Sequence, residues 1–224
     1  MSQQLIRQLF GILLSVPAAL ISIAVHESAH GYASYKQGDP TAKNLGRITL
    51  NPLKHFDLMG FICMVLFHIG WAKPVPVNPR YYKNPRRGMA ITAAAGPASN
   101  LLMAFVGVIC YELIGNITFK EANTAYYTYY ICYTVYMFFI IFANLNVFLA
   151  IFNLIPVPPF DGSRIAYIFM PPKAYFGIMK YEGYIMLGMI ALLWSGILDG
   201  PLDLISGAVL GGMEWLVELI PIFK

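Results

Sequence analysis

Charged side chains are scarce in this chain. Asp, Glu, Lys and Arg make up 12% of its 224 residues, about half the share of an ordinary soluble domain. With 58% hydrophobic residues and a mean hydropathy of +0.62, that scarcity excludes a typical water-soluble domain and points to a membrane protein. Cysteine is nearly absent as well. Cys63, Cys110 and Cys132 are far apart, odd in number and without CxxC spacing, a poor basis for a disulfide framework or a cysteine metal site. Small core side chains are the simpler reading. There is no low-complexity tract, no long linker and no internal repeat, so a single membrane-embedded domain over 1–224 is expected, with a core at 5–170 and accessory helices at 182–223. A net charge of +4 scattered among apolar segments gives no footprint for nucleic acid.

Long apolar runs are what the chain does have. Leu9–Val25 is uncharged, and its helix is expected to run from about Leu5 to Tyr35. Gly88–Tyr111 and Ala122–Phe160 hold a second and a third span. Gly183–Leu198 and Leu204–Phe223 are marginal, the last interrupted by Glu214 and Glu218. A crossing helix needs about 20 apolar residues, or about 17 at the short end. The expected fold is therefore an all-α polytopic membrane protein with about five transmembrane helices. Pro17-Ala18-Ala19 faintly resembles a signal-peptide cleavage site, but the apolar run continues past it. Leu58–Ala72 is too short to span and is expected to be re-entrant or interfacial. After it, Pro74, Pro76 and Pro79 forbid a helix and predict an extended edge or hairpin arm, a membrane-associated β element between the first two spans.

Nine of the fifteen Lys and Arg fall within 36–87, on both sides of that short stretch. The positive-inside tendency places these flanks in the cytoplasm. Gly107, Gly188, Gly207, Gly211 and Gly212 suit close helix packing within or between chains, which leaves the oligomeric state open.

The first apolar run leads into AVHESAHGY at 24–32. His26 and His30 are four residues apart and project from one helix face. In the pattern His-Glu-x-x-His two imidazoles bind zinc, and the intervening acid, Glu27, takes a proton from water. A pair of hydrogen-bonded core histidines would have the same spacing, but ionisable groups inside a membrane span default to function. Catalytic zinc takes a third protein ligand. Asp161 is the only charge between Ala122 and Ser163 and follows a run of prolines that ends the inbound helix. It is the first choice. His68 and His55 are alternatives, and Glu112 lies at the wrong membrane face. Asn153 could steady an oxyanion or simply bond another helix, as Asn100, Asn144 and Asn146 also could.

His26–His30 in the first long helix, GPASN at 96–100 and NLIPVPPFDG at 153–162 resemble the site-2 protease family of intramembrane zinc metalloproteases. LNPLKHFDLMG at 50–60 and GWAKPVPVNPR at 70–80 resemble its compact prokaryotic branch without a PDZ domain. Phe56 and Leu58-Met59 depart from the shorter aliphatic and Pro-Ile common there. The resemblance implies that His26, His30 and Asp161 bind one zinc ion per chain, that Glu27 is the general base, and that Asn153 contacts substrate or oxyanion. It implies that Pro74, Val75, Pro76, Val77 and Asn78 hold an unfolded substrate strand. The expected partners are the lipid bilayer and a single-pass transmembrane substrate, cut in or near its membrane segment by regulated intramembrane proteolysis. The expected location is a prokaryotic cell membrane, with the active site toward the cytoplasm. A zinc transporter or sensor, or an inactive scaffold of the same fold, is the alternative reading.

Overall fold

The computed structural model describes residues 3–60, 71–120 and 126–221. Cys63, His68 and most of the expected re-entrant stretch lie outside them. Helix α1 is Gln3–Lys36, α2 the single turn Thr41–Asn44, α3 Pro85–Lys120 and α4 Tyr126–Asn153. The shorter α5 (Asp161–Ala166), α6 (Pro172–Met179) and α7 (Glu182–Trp194) lead to α8, Asp199–Glu218.

Three segments are long and apolar enough to cross a membrane: Gln8–Lys36, Pro85–Thr118 and Tyr127–Asn153. A fourth is reached only if α6 and α7, bent by 62° at their junction, count as one span. The expectation of about five is corrected accordingly. Helix α7 has only 13 residues, and α8 carries Asp203, Glu214 and Glu218 and is not among the candidate spans. Leu13 at 70%, Leu102 at 63% and Ile131 at 65% exposure mark outward apolar faces of the kind that suits lipid.

Helix α3 packs against both α1 and α4, and α1 also meets α4. Apolar burial is weak glue in lipid, so polar contacts and small side chains must hold the helices together. They do so through a buried chain of side chains. Ser22 Oγ donates to the Ala18 carbonyl (2.7 Å), Asn146 Nδ2 donates to Ser22 Oγ (2.7 Å), and Asn100 Nδ2 donates to Asn146 Oδ1 (3.1 Å). All three residues are fully buried. Helix α8 docks Val217 against Val108, Tyr111 and Ala143, and the Tyr111 hydroxyl donates to Glu214.

The expected β element is also corrected. Among the described residues there is no strand, and 71–78 runs between helical turns without a ladder. Its prolines lack the donors a ladder needs, and its remaining backbone groups bond mostly to side chains. Arg47 Nη2 donates to the carbonyls of Lys73 (2.8 Å) and Pro74 (3.2 Å). The Asn78 amide donates to Asp39 Oδ2 (2.7 Å); among the described residues the segment's backbone–backbone bonds are Lys73 N to His55 O (2.9 Å) and Tyr81 N to Asn78 O (3.2 Å).

Asp39, fully buried just past α1, therefore ties this segment to the helix end. It also accepts from Ser34 Oγ (2.8 Å) and from the Thr41 amide (2.9 Å) and hydroxyl. Burial opposes its ionised form, but these donors outweigh burial and hold the carboxyl below the ordinary aspartate range. Asp39→Asn is expected to cost about 1–3 kcal/mol, the penalty for leaving buried donors unmatched. Because the folded pKa is depressed, the contribution is complete above the pKa of a free aspartate and fades as pH falls through the lower folded value. The Tm difference between wild type and D39N, measured in detergent, should be full at neutral pH and shrink below about pH 4.

Candidate metal centre

His26 and His30 lie on one face of α1, and Asp161 opens α5. The α4 helix ends at Asn153, and the chain turns through Pro156, Pro158 and Pro159 before α5 begins. Gly162 makes the close return possible: a Cβ there would stand 2.2 Å from the Leu154 carbonyl oxygen. The start of α5 is thereby pressed against the end of α4, and Asp161 faces the two imidazoles.

The three side chains form a small triangle. The Nε2 atoms of His26 and His30 are 3.0 Å apart, and Asp161 Oδ2 is 3.2 Å from the first and 3.1 Å from the second. The far side of each ring identifies its tautomer. His30 Nδ1 is 2.7 Å from the Thr92 carbonyl, which can only accept, so that nitrogen carries the proton. His26 Nδ1 is 2.7 Å from Asn100 Oδ1, and the Asn100 amide nitrogen already donates to Asn146. With the rings neutral, as metal ligation requires, both Nε2 lone pairs and a carboxylate oxygen point at one another. Such convergence is repulsive without a cation. Ligands about 2.0–2.1 Å from a tetrahedral ion stand roughly 3.3 Å apart, close to the triangle observed. The donor set fits a divalent metal.

Helix α3 supplies the wall behind the rings. Thr92, Gly96 and Asn100 recur every four residues and match the spacing of His30 and His26 on α1. A Cβ at Gly96 would lie 2.5 Å from His30 Cε1 and Nε2 and 2.6 Å from His26 Cε1. None of the three was singled out for this role from sequence, although the four-residue stripe is legible once its partner stripe is known.

On the opposite side opens a cavity of about 160 Å³, bordered by Glu27, Pro74, Val75, Val77, Asn153 and Arg164. Glu27 Oε2 accepts from the Val75 amide at 2.8 Å. Asn153 reaches the cavity while one of its N–H groups donates to the Leu149 carbonyl (2.9 Å). Of the five residues expected to hold substrate, Pro74, Val75 and Val77 line the cavity. Pro76 and Asn78 do not, because Asn78 bonds Asp39 through its amide and caps the turn at Pro79–Tyr81 through its side chain. His55 is buried elsewhere, with Nε2 on the Thr49 carbonyl (2.9 Å), and is not a member of the cluster. Glu112 sits among the carboxylates of Glu214 and Glu218, also apart from it. Arg164, which the sequence analysis did not single out, also borders the cavity. A larger hollow of about 320 Å³ on α4, among Tyr127, Tyr130 and Ile131, has no acid, histidine or cysteine in its lining.

A metal-binding triad with an adjacent glutamate, in a chain whose helices are built to cross a bilayer, describes a membrane metallopeptidase. The chain belongs to Peptidase family M50, the site-2 protease family, whose profile matches residues 16–195. Its relatives include proteins named "Putative zinc metalloprotease". YwhC of Bacillus subtilis is 41% identical over 165 residues, covering 74% of this chain and 73% of that protein. Rip2 of Mycolicibacterium smegmatis is 26% identical over 192 residues, covering 84% and 69% respectively. No solved structure gives a significant match.

Two substitutions test the wall behind the rings by metal analysis of the purified protein. Gly96→Ala should displace both imidazoles and leave the protein largely metal-free, with its helical circular dichroism intact. Asn100→Ala should weaken metal affinity by about 10–100-fold, the usual cost of losing a partner that orients a ligand.

Proposed function

We propose that this chain is an intramembrane zinc endopeptidase, with one zinc ion per chain, that hydrolyses a peptide bond in or near the membrane segment of a single-pass protein. The observation that carries the reading is the triangle of His26, His30 and Asp161 opening onto a cavity that Glu27 also lines. The zinc metalloprotease names of both relatives support the choice of metal.

The imidazoles are held by Asn100 and Thr92 with Nε2 directed at the metal position. When bound there, zinc supplies Lewis acidity toward a peptide carbonyl and toward water. Glu27 acts as general base, taking a proton from the attacking water and passing it to the leaving amine. Asn153 has a second N–H to offer a developing oxyanion. A helical substrate shields its carbonyls in its own hydrogen bonds. It must unwind to enter, and Pro74, Val75 and Val77 provide an irregular surface beside which an extended segment can lie. The lysines and arginines of 36–57 and 73–87 set this end of the molecule toward the cytoplasm of a prokaryotic cell membrane, as regulated intramembrane proteolysis requires.

A transporter or sensor would need ligands strung along a path. Among the described residues one group of three or more metal-binding side chains is found, and a pure carrier gives Glu27 no task. Reconstitution with a single-pass substrate separates the readings. Glu27→Gln should lower cleavage by roughly 10²–10⁴-fold, the usual worth of a general base, while zinc content is unchanged. Cleavage by E27Q at the wild-type rate would refute the mechanism.

A further inference from the structure

Among the described residues, the Glu27 carboxylate is held by a main-chain amide and not by another side chain: Val75 N–H donates to its Oε2 at 2.8 Å. The segment around that amide is unusually constrained. Pro74 and Pro76 flank it, each with a locked φ and no donor, and a residue before proline is itself restricted. No neighbouring amide can therefore take its place, since residues 74 and 76 have none. The segment is also pinned at both ends. Arg47, itself buried, donates to the carbonyls of Lys73 and Pro74, the Lys73 amide bonds His55 O, and the Asn78 amide bonds Asp39. Between these anchors the Val75 side chain is buried and seated over Gly31, one helical turn beyond Glu27. A Cβ at Gly31 would meet Val75 Cγ1 at 3.1 Å.

We infer that the Val75 amide is a positioning group for Glu27, holding the carboxylate against the cavity wall through a charge-assisted hydrogen bond. This rests on the reading of Glu27 as base. Of the amides in 73–78, those of Lys73, Val75 and Asn78 are then committed to the protein itself. Val77 N–H, which has no partner among the described residues, is the donor left for an extended substrate. Pro74 and Pro76 act by ensuring that a single amide addresses the base.

Val75→Pro removes the N–H, and Val75→Ala keeps it while trimming the packing. With zinc-loaded full-length protein and a reconstituted substrate, V75P should lose at least about tenfold in kcat, as misplaced catalytic groups do. Its KM should stay within about twofold and its zinc content should not change. V75A should recover most of that loss in kcat. V75P retaining its kcat, or raising KM alone, overturns the inference, the second outcome assigning the amide to substrate instead. Should V75P fail to fold, amide hydrogen exchange decides. In Glu27→Ala the Val75 amide should exchange at least about tenfold faster, while the Asn78 amide, held by Asp39, is unchanged. Residues 73–77 contain amides only at 73, 75 and 77, so the signal is easily assigned. Unchanged exchange at Val75 overturns the inference. E27Q cleaving at the wild-type rate would defeat the assignment of the base itself; an inactive E27Q beside a fully active V75P would defeat this inference alone.

Discussion

Three electron pairs facing one another at about 3 Å are the constraint on which the rest of this structure depends. Two neutral imidazole nitrogens and a carboxylate oxygen would not be held so close unless a cation were meant to sit between them. Much of the surrounding architecture keeps these lone pairs aimed inward. The Thr92 carbonyl and the Asn100 amide oxygen each capture the proton on the far side of a ring. The lone pair on the near side follows from that capture.

The same contacts join the helices. The path from Ser22 through Asn146 and Asn100 to His26 passes from α1 to α4 to α3 and back to α1. In a bilayer, where apolar packing discriminates poorly between rotations of a helix, such a closed circuit of buried polar groups specifies one rotation for each member. A turn of α3 by a single residue would remove Asn100 from both of its partners and bring a side chain into the space that Gly96 leaves for the rings.

Much of the centre was legible in the sequence because ionisable groups stand out against an apolar background. His26, Glu27 and His30 share one turn, and Asp161 interrupts a long uncharged stretch; the structure places the two histidines and that aspartate together. The supporting elements were less visible for physical reasons. Gly96 acts by having no side chain, and Thr92 acts through its main-chain carbonyl, so neither leaves a mark in residue chemistry. The overcount of spans came from reading apolar runs by length, whereas α8 carries acids that turn toward α3, with Glu214 taking the Tyr111 hydroxyl. The proline pattern was read correctly as non-helical at 74–78, whereas Pro79 opens the short helical turn Pro79–Tyr81. What it could not reveal is that the partners of that backbone would be chiefly Glu27, Arg47 and Asp39 rather than a neighbouring strand.

The close fit of Gly96 against both rings has a further effect on traffic. With helix backbone filling the rear, neither an ion nor a chelator can approach the imidazoles from behind. Among the described residues the cavity beside Glu27 is the open approach to the imidazoles. If the proposed function holds, an ion and a polypeptide would share that approach, and turnover and demetallation would compete for one doorway.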